Sequence, residues 1–283
     1  MEEYRDLPLT LAALRRVLDE PEFAHIDAGV VLQAYLPDSH AACDELCAWA
    51  AERHARAGGT LKIRIVKGAN LAMERVEAEL HGWEQAPYST KAEVDASFKR
   101  MVERALDPRW EDAVRVGLAS HNLFDVAWAM GLAARNRIEF EMLEGMATAQ
   151  SREVQGRVGS VLLYAPVVRH DDLPASIAYL TRRLDENTSP DNFLRALFTL
   201  RTGTPDCEDQ CARCAASVEA KDTRHCPPGL RSISLVLQVN PSGPNQRGRS
   251  AGSVQSRQTF SGGAGIRRVM VMVCKVMGGV LLG

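Results

Sequence analysis

Residues Leu61–Lys67 read LKIRIVK, a run rich in β-branched side chains in which Arg64 stands between Ile63 and Ile65. Such a run, bounded by Gly59 and Gly68, is a strand signal. Four others share its character: Gly29–Tyr35 (GVVLQAY), Val114–Ser120 (VRVGLAS), Ile138–Leu143 (IEFEML) and Val161–Pro166 (VLLYAP). Three of the five are near-continuous apolar runs, as expected of strands buried on both faces. Between the runs lie segments with helical spacing: His40–Ala57, Met73–Leu80, Ala92–Leu106, Leu123–Ala134 and Ser151–Val158, with Leu173–Asn187 closing the series. Strand and helix alternating five times argue for an α/β protein whose strands run parallel through crossover helices. Right-handed crossovers leave two architectures open, a doubly wound sheet or a (β/α)8 barrel, and the pattern alone does not choose between them.

Composition narrows the function classes. The chain has 283 residues, 46% hydrophobic and 25% charged, as in ordinary soluble domains. Its net charge of -2 gives no reason to expect nucleic acid or an anionic membrane as a whole-chain partner. No stretch reaches the roughly 20 apolar residues of a spanning helix. The opening MEEYRDLP lacks the basic-then-apolar layout of a secretory signal. Cys43 and Cys47 sit one helical turn apart, as small buried thiols do, and a reducing cytosol is the plain reading.

The regime changes near Arg201. Residues 203–228 are cysteine-rich (Cys207, Cys211, Cys214, Cys226), and 240–265 are rich in Gly, Ser, Pro, Gln and Arg. Every Asp and Glu lies in residues 1–222. So few apolar groups cannot offset the cost of ordering a backbone. The expected division is therefore 1–202 as the folded unit and 203–283 as a disordered or frame-shifted tail, with the boundary between 200 and 222. Cys207-x3-Cys211-x2-Cys214 has the spacing of iron–sulfur ligands, with Cys226 as a fourth. The acid-free composition favours a derailed frame over a metal module, and no metal ligand set is assigned.

Polar residues gather at the carboxyl ends of the five runs, where a parallel α/β fold builds its site. They are Gln33; Arg64, Lys67 and Gly68; Ser120, His121 and Asn122; Glu144 and Gly145; and Tyr164. A guanidinium inside a buried strand needs a partner. For Arg64 that is either a carboxylate such as Glu139 or Glu141, or an anionic or electron-rich ligand at the mouth. On the last helix Arg182 and Glu186 are four apart and can pair, while Arg183 turns about 100° away. Two guanidinium groups beside a pocket suit a carboxylate. A solvated helix face is the alternative.

The order QAYL (33–36), IRIVKGA (63–69), YSTK (88–91), SHN (120–122), EFEMLEGM (139–146), YAPV (164–167) and YLTRRLDEN (179–187) resembles the proline dehydrogenase family. The likeness is nearest to the dehydrogenase half of the bifunctional proline-utilisation flavoproteins, and it runs from about residue 4 to 200. It implies the last five strands and final helix of a distorted (β/α)8 TIM-type barrel, incomplete because the family's first three strands precede the segment resembling MEEYRDLP. It implies FAD over the strand ends and oxidation of L-proline to Δ1-pyrroline-5-carboxylate. It further implies a quinone acceptor, a cytoplasmic protein peripheral to the inner membrane, and an aldehyde dehydrogenase partner domain. By the same resemblance Gln33, Arg64, Val66, Lys67, Gly68, Ala69, Thr90, Lys91, His121 and Asn122 are cofactor contacts, with Arg64 near the flavin N5 edge. Leu143 and Tyr164 are walls of the proline pocket; Arg182 and Arg183 are its carboxylate clamp, and Glu186 orients one of them. Arg64, Tyr164, Arg182, Arg183 and Glu186 then form the catalytic set. Asn70 stands where many members carry an aromatic residue. Without the first three strands the alternative is a non-catalytic fragment with two open sheet edges.

Overall fold

The computed structural model describes residues 3–188, 192–197, 199–201 and 203–221, with the side chains of Asp185 and Glu186 left out. A single sheet organises them. Its strands are β1 (Ala28–Gln33), β2 (Leu61–Val66), β3 (Val114–Ala119), β4 (Ile138–Leu143) and β5 (Val161–Tyr164). All pair in parallel, in the order β1-β2-β3-β4-β5. A doubly wound sheet reverses its strand order at a switch point, and this one never does. The two architectures left open by the pattern are thereby separated, and the sheet is a barrel segment.

The helices are α1 (Leu7–Leu18), α2 (Ser39–Ala57), α3 (Leu71–His81), α4 (Lys91–Ala105), α5 (Leu123–Met130), α6 (Thr148–Val158), α7 (Leu173–Thr188), α8 (Phe193–Leu197) and α9 (Pro205–Ala220). Local chemistry sets their ends. Thr90 caps α4 in a reciprocal box with Glu93, whose backbone N–H donates to Thr90 Oγ1 while its carboxylate accepts from the Thr90 N–H at 3.0 Å. Asn122 caps α5 by accepting the Phe124 N–H at 2.9 Å. Gly58 closes α2 in the left-handed region.

The sheet has two unlike faces. Val30, Leu32, Leu61, Ile63, Ile65, Val116, Leu118, Phe140 and Met142 are buried in the core shared with the helices. The alternate set includes Gln33, Lys62, Arg64, Gly117, Glu139, Glu141 and Tyr164, so the opposite face is polar. Strands buried on both faces by apolar groups were the expectation from the runs, and that does not hold. In β2 the burial alternates residue by residue, because a barrel segment turns one face to the helices and the other to its own interior. β5 departs further: Leu162, Leu163 and Tyr164 are all exposed. Among the described residues no strand pairs with the outer edge of β1 or of β5.

Two buried arginines tie the floor of the sheet together. Arg53 donates to the carbonyls of Leu18, Phe23, Ile26 and Thr60. Arg137 donates to those of Ala105, Leu106, Asp107, Trp110 and Val114. Each gathers carbonyls where β2 or β3 begins, satisfying backbone acceptors that would otherwise be buried without donors.

The largest difference from the sequence expectation lies after residue 202. Residues 205–220 do not belong to a disordered tail: they form α9, packed on α4 and α5. Thr204 caps the helix, with Pro205 in its first turn. Cys207, Cys214 and Val218 enter the core, and Cys211 packs against it. The cysteine spacing thus follows the face of a helix, which accounts for it without a metal. Burial pushes the Cys214 thiol up to about 11, away from the thiolate a metal needs. Arg100 donates to the carbonyls of Ala220 and Lys221, and Lys221 pairs with Glu103 at 2.6 Å. Cys226 and the glycine- and serine-rich stretch lie outside the described residues.

Candidate active site at the strand ends

Arg64 shows how the polar face is put together. Its Nε pairs with the Glu141 carboxylate, whose side chain is 1% exposed. Lys62 reaches the same carboxylate at 3.2 Å and Glu139 at 2.5 Å. These pairs join β2 to β4 across β3, and the register puts Gly117 beside Arg64 on one side and Glu139 on the other. A Cβ on Gly117 would meet Glu141 Oε1 at 2.3 Å. Glycine is required because the ion pair lies across that position. The Arg64 guanidinium also sits 4.7 Å from the centre of the Tyr164 ring of β5. Its two terminal nitrogens have no hydrogen-bond partner among the described residues. Both alternatives for Arg64 are compatible with this geometry: the carboxylate partner is present, and the terminal nitrogens are left for a ligand.

The turn after β2 is shaped for close approach. Gly68 has φ +130°, and a Cβ there would lie 2.4 Å from the Tyr35 ring. The Val66 and Lys67 carbonyls accept from the N–H groups of Ala34 and Tyr35, each at 2.8 Å, and Ala69 completes the turn. Lys67 differs from the expectation. Strand parity turns it to the helix side, where its ammonium meets Asp95 at 2.5 Å and Asp125 at 2.6 Å. Burial alone would lower its pKa, but the two carboxylates raise it. Lys91 pairs with Asp95 at 2.7 Å, and the Thr90 hydroxyl is spent on its own helix cap. Asp95 and Asp125 went unremarked in the sequence, although Asp95 lies one turn after Lys91 and Asp125 one turn after His121.

His121 is the clearest sign of a ligand position. The Leu143 N–H donates to its Nε2 at 3.0 Å, so the ring proton of the neutral form sits on Nδ1. That Nδ1 is buried and has no partner among the described residues. Burial lowers the pKa of the ring to about 4, so it stays neutral near pH 7. An acceptor-bearing group is what such a donor calls for. Together with the glycine cradle at Gly68, this fits a cofactor that presents carbonyl or phosphate oxygens.

Asn70, which opens α3, is 6% exposed and accepts from Arg182 Nη1 at 3.5 Å. Arg183, next on α7, is buried with its guanidinium 5.1 Å from the Tyr179 ring. α7 is thereby anchored over the strand-end rim near Gly68. Gln33 is buried at the end of β1 and Tyr164 is 44% exposed at the end of β5. Leu143 lies opposite Tyr164 in register. The rim therefore brings together Gln33, Arg64, the 66–70 turn, Thr90 and Lys91, His121, Asn122, Leu143, Tyr164 and Arg182. The Glu186 side chain lies outside the described residues.

Residues 1–196 match the family model described as Proline dehydrogenase. The bifunctional protein PutA of Salmonella typhimurium is 32% identical over 208 residues, covering 69% of this chain and 15% of that protein. Human hydroxyproline dehydrogenase is 31% identical over 147 residues, covering 49% of this chain and 31% of that enzyme. The structure of Proline Utilization A from Corynebacterium freiburgense superposes with a TM-score of 0.67 at 46% identity, over 79% of this chain and 22% of that one. The chain thus spans well under half the length of these relatives. A family match over 1–196, a barrel-segment sheet and a polar strand-end rim agree: the chain belongs to the proline dehydrogenase family.

Proposed function

We propose that this chain carries the cofactor rim and carboxylate clamp of an FAD-dependent proline dehydrogenase, acting on L-proline to give Δ1-pyrroline-5-carboxylate. The observation that carries the reading is Arg182: from α7 it reaches Asn70 in the β2–α3 turn, which sets a guanidinium over the strand ends beside Gly68. FAD, when bound, supplies the hydride acceptor. The residues do the rest by position. Arg182 and Arg183 hold the substrate carboxylate by charge-assisted hydrogen bonds. Leu143 and Tyr164 wall the ring, and Tyr164 is braced by Arg64. Arg64, backed by Glu141, offers its terminal nitrogens to the electron-rich edge of the cofactor. His121 donates one N–H of fixed tautomer. A quinone acceptor and a cytoplasmic location with contact at the inner membrane belong to the same reading, as does a companion aldehyde dehydrogenase domain, for which the bifunctional PutA relatives are the support.

Arg182→Met tests the clamp. Loss of a charged hydrogen bond of about 1.5–3 kcal/mol corresponds to a rise of roughly 10- to 100-fold in KM for proline, with kcat much less affected. Steady-state kinetics with an artificial electron acceptor reads both, and an unchanged KM rejects the assignment. A second reading, that the described unit does not turn over by itself, is favoured by the exposed apolar side chains of β5 and by the unpaired edges of the sheet. Flavin absorbance after titration with FAD separates the two: protein that stays colourless supports the second.

A further inference from the structure

Behind the rim, on the helix side of the sheet, five charged side chains form one continuous chain: Lys91, Asp95, Lys67, Asp125 and Lys99. Successive nitrogen–oxygen distances are 2.7, 2.5, 2.6 and 2.7 Å. Lys99 and Asp125 are 1% and 2% exposed. Lys67 lies 5.5 Å from the centre of the Phe98 ring, and Lys99 5.6 Å from a Trp128 ring. The Ser120 hydroxyl donates to Asp125 at 3.3 Å and accepts the Asn122 N–H at 3.1 Å.

Removing five charges from water costs about as much as their mutual attraction returns, so such a chain is no general source of stability. Its placement is what distinguishes it. Lys67 leads into the Gly68–Asn70 turn, Lys91 opens α4 just after its cap, and Asp125 reaches the 120–122 turn through Ser120. Those are the three segments that supply most of the rim, and nothing else described joins all three. Three ammonium groups against two carboxylates also leave one positive charge in surplus, nearest solvent at Lys91.

We infer that Asp95 and Asp125 are positioning residues: they lock the three lysines into a strut that holds segments 67–70, 90–91 and 120–122 in one register for an anionic, phosphate-bearing cofactor. The inference rests on the flavin reading of the rim, and it concerns residues that do not themselves touch the cofactor.

Asp95→Asn is the test, with two measurements on the full chain. Backbone amide exchange of the ligand-free protein should quicken at least tenfold in all three segments, although 120–122 is reached from the substituted carboxylate only through Lys67 and Asp125. The dissociation constant for FAD, from flavin fluorescence quenching, should rise at least tenfold. If the variant does not fold, the double variant Lys99→Met with Asp125→Asn removes one charge of each sign at residues given no cofactor contact and carries the same expectations. Quickening confined to the first turn of α4 overturns the strut. Coordinated quickening with unchanged FAD affinity overturns the positioning role. Should the unsubstituted chain take up no FAD, the flavin reading fails on its own, and the exchange pattern still decides whether the segments move as one.

Discussion

Gly117 is the residue on which the polar face turns. It is the one position of β3 over which the Arg64–Glu141 pair can pass, and an added methyl would strike both the carboxylate and the Arg64 backbone, at 2.3 and 3.3 Å. Gly117→Ala should therefore cost about 1–3 kcal/mol, the range for forcing extra volume into a packed site. It should also free the guanidinium from its stack on Tyr164. Urea unfolding reads the first effect, and the intrinsic fluorescence of Tyr164 against a Tyr164→Phe control reads the second. Much at this scale was legible in the chain itself. A lone arginine between two isoleucines must find a carboxylate, and Glu141 was one of two within reach. The lysine of the same run misled, because strand parity decides which side it faces: Lys67 shares the side of Ile63 and Ile65, where α4 and α5 lie. The unpaired Nδ1 of His121 had no signature at all in sequence, since it depends on the Leu143 N–H arriving from another strand.

Among the elements, α9 carries the most weight for how far the folded unit extends. Its cysteines and Val218 fill the groove between α4 and α5, and the capping threonine and first-turn proline define its start. Truncation before Thr204 should expose apolar surface on both partner helices and cost on the order of 3 kcal/mol or more, from the three side chains it buries, Cys207, Cys214 and Val218. A lower midpoint of chemical unfolding, with increased binding of a hydrophobic dye, would check it. Composition hides this helix: its polar, cysteine-rich content resembles the stretch that follows, and only the i, i+4, i+7 spacing of Cys207, Cys211 and Cys214 signals it. By contrast, the five strands and six of the helices were readable to within a few residues, because β-branched runs and helical stripes are local signals. Burial was less readable: β5 has the apolar content of a core strand but is exposed, since burial depends on what packs against a strand as well as on its composition.

For the molecule as a whole, acidity is the informative variable. His40 donates from Nε2 to Ser97, which in turn donates to the Ala34 carbonyl, and its ring is buried. Burial, reinforced by Arg100 and Arg104, lowers His40 to about 4, and burial does the same for His121. Both are then neutral in the folded chain, while the unfolded chain takes up their protons below about pH 6.5. Stability should be flat above that point and fall as pH drops from 6.5 towards 4, by up to about 1.4 kcal/mol per pH unit for each ring. His40→Gln, which keeps a donor for Ser97, should remove about half of that slope; urea midpoints measured across the interval decide it.

The anchoring of α9 has a practical corollary. Arg100 and Glu103 hold its last residues beside the lower turns of α4, and Arg137 shows that α4 ends level with the start of β3. Lys221 is thus fastened at the pole remote from the strand ends. A biotin or surface tether installed beside it, at the exposed Glu219, would immobilise the protein with its strand-end rim facing outward, open to solution.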